Sequence, residues 1–182
     1  MLRSAEALLE KFGDRRAVAD WLFGLAVMYR LRGDLELARE TGEEALSIHR
    51  EVGDVFGLIG SLYVVGRAAA QLGDMDTARA RFMETLAIEE AFGERTGLGL
   101  SLDNLADLEI SEGNAVRAMR LAGASEAIKD GVGGQAPPDL ITLPDPKERA
   151  RLIASEEQIR AAWAEGRAMG LEESIAYARE PA

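Results

Sequence analysis

Glycine recurs in this chain at a fixed pitch. Gly13, Gly33, Gly53, Gly73, Gly93 and Gly113 stand twenty residues apart, followed in turn by Asp14, Asp34, Asp54, Asp74, Glu94 and Asn114. A glycine just past the last turn of a helix takes the left-handed conformation that ends it, and an acidic or amide side chain caps the amides that open the next one. Each pair therefore reads as a stop and a start, and each interval as a helix of about sixteen residues, roughly 25 Å long.

Between these marks apolar residues recur at helical spacing, as in Leu22, Leu25, Ala26 and Tyr29, and again in Leu62, Val65, Gly66 and Ala69. One stripe of each helix is thus built to face neighbours. Odd and even marks differ, because only Gly33, Gly73 and Gly113 are followed five residues later by alanine, at Ala38, Ala78 and Ala118. The true period is forty, two antiparallel helices per unit. Aromatic residues make up only 5% of the chain while Ala, Leu, Arg and Glu abound, so the expected fold class is all-α.

This pattern resembles the tetratricopeptide repeat (TPR), a helical hairpin in which small residues let two helices approach closely. The small positions of the first helices are Ala26, Gly66 and Ala106. Those of the second helices are Ala38, Ala78 and Ala118, then Ala45, Thr85 and Ser125, with Phe82 between them in the middle unit. The match covers residues 14–130; its period exceeds the usual ~34 residues, and Leu22, Leu62 and Leu102 replace the bulky aromatic often found early in the first helix. The resemblance implies a right-handed superhelix of antiparallel helix pairs. Counting back forty from Ala45 lands on Ala5, so residues 1–12 are expected to be the second helix of a half repeat belonging to a larger array, followed by units at 14–52, 54–92 and 94–130.

Residues 131–145 hold most of the prolines and no helical period, and are expected to form a loop. Their Gly-Val-Gly-Gly lacks the preceding strand and the following Gly-Lys-Ser/Thr of a phosphate loop. Asp145 and Pro146 then suit a helix opening, with Leu152, Ile153, Ile159 and Trp163 as a stripe that docks on the last hairpin; Gly170 stops this helix and LEESIAYARE forms a final one. Residues 146–182 are therefore expected to cap the array. The stretch AAWAEGRAMGLEESIAYA also resembles the extreme C-terminus of large bacterial regulators in which an ATPase of the signal-transducing NTPase class, sometimes with a LuxR-type DNA-binding domain or a cyclase domain, precedes such repeats.

Acidic residues outnumber basic ones 32 to 21, giving a formal charge of -11 that repels phosphates and anionic lipid. Nucleic acid and membrane are poor partners for such a segment. Cysteine is absent, no apolar run approaches the ~20 residues of a membrane span, and Met1 leads into a charged stretch rather than an apolar leader, so a cytoplasmic protein is expected.

Chemistry is sparse. The single histidine, His49, is read as a surface residue near a helix end, and no metal site, cofactor or enzymatic activity is expected. Asp103, Asp107 and Glu109 approach one another on one helix, but without the ligand loops or aromatic platforms that such carboxylates usually serve. Trp21 and Trp163 are read as packing residues.

The TPR resemblance assigns the inward, partner-facing positions to Phe23, Val27 and Arg30, then Tyr63, Arg67 and Gln71, then Asp103, Asn104 and Asp107. Some family members clamp a peptide's terminal carboxylate there with lysine and asparagine; this set offers Arg30 and Arg67 as its cations and no lysine. The row grades from apolar through Tyr63 and Arg67 to acidic, which suits a peptide or helix with an apolar and a basic end. The expected function is a non-catalytic protein-interaction scaffold in a bacterial signalling or transcriptional regulator. The alternatives are self-association through Leu2, Leu8, Leu9 and Phe12 of the half repeat, or sensing of a small inducer in the groove.

Overall fold

The computed structural model describes residues 14–132 and 143–181, so the expected half repeat at 1–12, with Leu2, Leu8, Leu9 and Phe12, lies outside the described residues, as does most of the 131–145 loop. Among the described residues every regular element is helical: α1 (Arg15–Arg32), α2 (Leu35–Val52), α3 (Val55–Leu72), α4 (Met75–Phe92), α5 (Arg95–Ser111), α6 (Ala115–Gly131), α7 (Pro146–Ala150), α8 (Glu156–Ala168) and α9 (Leu171–Arg179). The chain forms two compact units, Met1–Arg81 and Phe82–Ala182, divided within α4.

The glycine marks act as read. Gly33, Gly53, Gly73, Gly93 and Gly113 have φ between 67° and 87°, the left-handed region where a Cβ is costly. Asp14 accepts from the amides of Arg16 and Ala17, Asp54 from Gly57 and Asp74 from Thr77, which satisfies donors that the first turn leaves open. Asp34 and Asn114 make no such bond; the Asn114 amide donates to Glu109 instead. Helices α1 to α4 are 18 residues long rather than sixteen, because the helix runs to the glycine at one end and starts directly after the cap at the other.

All nine small positions are buried. Ala26, Ala38, Ala45, Ala78, Thr85, Ala118 and Ser125 have no exposed surface, Ala106 has 1%, and Gly66 is buried in α3. Small side chains at these places bring helix axes close enough for Leu22, Leu62 and Leu102 to fill the space beside them, and each is at most 1% exposed. Full burial of such a leucine contributes about 1.5–3 kcal/mol. α3 is long and apolar enough to meet a membrane-span criterion by length and composition, with mean hydropathy 1.4. It carries Arg67, and it buries Leu62, Val64, Val65, Ala68 and Ala69 within its own unit.

In the second unit the tail docks differently from the expected stripe. α7 stops at Ala150, and Leu152 and Ile153 are exposed, at 83% and 50%. Ser155 then opens α8 with a capping box to Gln158. α8 lies on α6 backbone to backbone: a Cβ on Gly123 would fall 2.2 Å from the Trp163 carbonyl oxygen, and one on Gly166 2.0 Å from that of Arg120. Ile159 and Ala162 complete the contact face, each buried. α9 is held at its C-terminal end by Arg117, whose guanidinium donates to the carbonyls of Tyr177, Ala178 and Glu180 and lies 4.8 Å from the Tyr177 ring. Arg117 is itself set by the fully buried Glu109, at 3.0 Å.

Two glycines should therefore respond in opposite directions to the same substitution. Gly166→Ala, which meets backbone, should destabilise the chain by about 3 kcal/mol. Gly24→Ala, exposed in mid-helix with nothing within 4 Å of the new Cβ, should stabilise it by about 0.5–1 kcal/mol. Urea unfolding followed by circular dichroism checks both, and a tolerated Gly166→Ala would contradict the close crossing.

Candidate functional site

Six of the inward positions belong to the first unit. Phe23, Val27 and Arg30 lie on α1, and Tyr63, Arg67 and Gln71 on α3. Phe23 and Val27 pack against Ala26, Val64 and Val65, and the Phe23 ring lies 3.2 Å from where a Gly60 Cβ would stand, so the first row meets α3 through residues outside the second row. Arg30 feels Arg67, since burial first and the neighbouring Arg67 charge second hold its guanidinium below its ordinary pKa. Gln71 is exposed. The result is a half-buried apolar strip with two guanidinium groups at one end.

Asp103, Asn104 and Asp107 belong to the second unit, where all three line a cavity of about 360 Å³. Its walls come from α5, from Ala122, Glu126 and Lys129 of α6, from Trp163 of α8, and from residues 143–147 leading into α7. The acidic groups are already matched. Lys129 Nζ lies 2.7 Å from Asp103; Arg149 pairs with Asp107 and also donates to the Ser111 hydroxyl at 3.0 Å. Glu126 accepts from the Trp163 indole at 3.1 Å and meets Arg167 at 3.1 Å, while Lys147 Nζ stands 4.1 Å from the centre of the Trp163 ring. The basic end expected of a partner is thus supplied at Asp103 and Asp107 by the chain's own Lys129 and Arg149. Glu109 does not join them, because a two-residue offset on a helix turns it to the opposite face, onto Arg117 and Asn114.

His49 is not the surface residue expected; it has no exposed area. Its Nδ1 lies 3.0 Å from the Ser61 hydroxyl and its Nε2 3.3 Å from Asp20. The ring sits where Gly57 lacks a Cβ, which would fall 2.4 Å from it. Asp20, His49 and Asp54 place ligand atoms within 4.8 Å of one another, a spacing that could receive a cation. Each is already engaged, however: Asp54 with Arg16 at 2.9 Å and His49 on both nitrogens. The serine–histidine–aspartate order has the connectivity of a nucleophile with its base, yet Ser61 has no exposed surface for a substrate to reach.

Forty residues on, the same construction recurs with a carboxylate. Glu89 accepts from Ser101 at 2.6 Å, and a Cβ on Gly97 would fall 2.3 Å from it. Position 49 or 89, a glycine eight residues later and a serine twelve later form a buried polar clasp between the second helix of one pair and the first helix of the next. That spacing is readable in the sequence once the period is known. Lys147, Arg149, Glu126 and Trp163 were not linked to the site by sequence, because charge opposition between α5 and the tail does not reveal which groups meet.

Comparison with protein-family models, curated proteins and solved structures finds no match to this chain.

Arg149→Ala and Asp107→Ala should each cost about 1 kcal/mol, with a coupling of about 0.5–1 kcal/mol in the double mutant. Strictly additive losses in urea titrations would contradict the pairing of the tail with α5.

Proposed function

We propose that the chain is a non-catalytic protein-interaction scaffold of tetratricopeptide type, the sensor or scaffold part of a bacterial signalling or transcriptional regulator, taking a peptide or helix against its first helices. The observation that carries this is the juxtaposition of α1 and α3, which sets Phe23 and Val27 beside the Arg30 and Arg67 guanidinium groups. The apolar strip favours aliphatic or aromatic side chains, and a guanidinium at its end suits a carboxylate that exchanges for its present contacts. Tyr63 and Arg67 anchor the partner. The buried small positions support the family reading, since close helix pairs are what such residues permit.

A display library of random peptides selected on the immobilised chain tests this. Enriched peptides should combine apolar residues with a carboxylate, and should lose about tenfold or more in affinity on a folded Tyr63→Ala, Arg67→Glu double variant, as for anchor residues. Absence of enrichment, or equal binding by the variant, would contradict the proposal.

Self-association is a second reading, favoured by the outer face of α1. Trp21, Met28 and Leu31 are 45%, 56% and 50% exposed, and with Ala17 and Gly24 they form a seam at alternating four- and three-residue spacing. One period on, Ser61, Val64 and Ala68 of α3 are buried, while Gln71, the counterpart of Leu31, is exposed. A second copy is the occupant under this reading. Sedimentation at high micromolar concentration should then show a dimer that Trp21→Glu dissolves, whereas a monomer throughout would remove the reading.

A further inference from the structure

We propose that residues 143–151 are an autoinhibitory strap: they occupy the inward face of α5 in place of a basic segment of a partner protein, one that brings an arginine and a second cation two residues before it. This rests on the reading of first helices as partner-facing and concerns their row on α5, Asp103, Asn104 and Asp107. Arg149 of the strap spans two groups of that face. One guanidinium nitrogen donates to the Asp107 carboxylate and the other, at 3.0 Å, to the hydroxyl of Ser111 one turn further on. Such a fork fits arginine and not lysine, whose ammonium is a single point of charge. Two residues earlier, the Lys147 ammonium stands 4.1 Å from the centre of the Trp163 ring, a cation–π contact. A separate segment carrying the same two cations can make the same contacts.

The strap is tied at these points without being packed down. A cavity of about 360 Å³ remains between its Leu143, Pro144 and Pro146 and the helix residues Leu100 and Ala122. Of α7 only Ala150 is buried, and Leu152 and Ile153 just beyond it are exposed. α8, by contrast, meets α6 backbone to backbone through Gly123 and Gly166. Ion pairs between partly exposed groups contribute little, so a segment with the same cations and side chains that fill the cavity displaces the strap at small cost. The formal charge of -11 favours the approach of a basic segment.

A peptide of the strap sequence, LPDPKERAR, tests this when titrated into the full native chain and into a full chain carrying Lys147→Glu and Arg149→Glu, whose strap is repelled from Asp107. The Trp163 indole N–H is followed in nitrogen–proton correlation spectra, with the Trp21 indole as an internal control. In the variant the peptide should shift Trp163 saturably and leave Trp21 still. The native chain should need about tenfold or more peptide, because its strap keeps the competent state a minor one. At saturation of the native chain, the amide signals of residues 147–150 should move together with Trp163 as the strap leaves. Equal affinities for the two chains would overturn the autoinhibition, as would a native chain saturated with residues 147–150 unmoved. No Trp163 response in the variant, or an equal response to a peptide with glutamate in place of both cations, would overturn the basic occupant. Should the double variant fail to fold, Arg149→Ala serves as the released chain. None of these outcomes depends on which peptides the α1 and α3 surface selects, so the two proposals fail separately.

Discussion

The structure depends first on where its helices are made to stop. Left-handed glycines at twenty-residue intervals end the helices from α1 to α5; a Cβ makes that backbone costly for most other residues. Because the stops are evenly placed, the helices match in length. Residues at the same offset from each stop then meet the same kind of neighbour. A small residue placed once per period becomes a close helix contact once per period, which is why nine such positions are all buried.

A second layer of specificity is polar. His49 with Ser61 over Gly57, and Glu89 with Ser101 over Gly97, bury an ionisable side chain at a helix contact and satisfy it with a hydroxyl from the next helix. Apolar packing alone tolerates sliding of one helix along another, whereas a buried hydrogen bond is lost as soon as the register shifts. The requirement for glycine at the facing position follows from the size of the ring or carboxylate that must sit there.

Most of the helical layout was legible, because glycine punctuation and small-residue spacing are local signals that repeat. His49 shows the limit of such reading. A lone histidine near a helix end suits a solvated surface, and the charged Glu89 one period later repeats that signal, yet both side chains are buried. The tail was less legible for another reason. Leu152 and Ile153 carry the apolarity that suggests docking, yet the contact is made through Gly123 and Gly166, whose lack of side chain gives no hydrophobic signal. Asp103, Asn104 and Asp107 were singled out by their offset from the packing stripe, but the meeting of Asp107 with Arg149 and of Glu126 with Trp163 depends on how α8 crosses α6. No pattern within α5 encodes that crossing.

If the forty-residue helix pair is the interchangeable unit of this chain, whole pairs can be excised and single helices cannot. Removing residues 54–93 takes out one period and joins Gly53 to Glu94, so that His49 faces Gly97 and Ser101 in place of Gly57 and Ser61. Removing residues 34–53 takes out half a period and sets one first helix after another. Thermal unfolding followed by circular dichroism should show a cooperative, fully helical protein for the first deletion and loss of cooperative folding for the second. Equal tolerance of both deletions, or collapse of the first, would mean that the helix pair is not the unit.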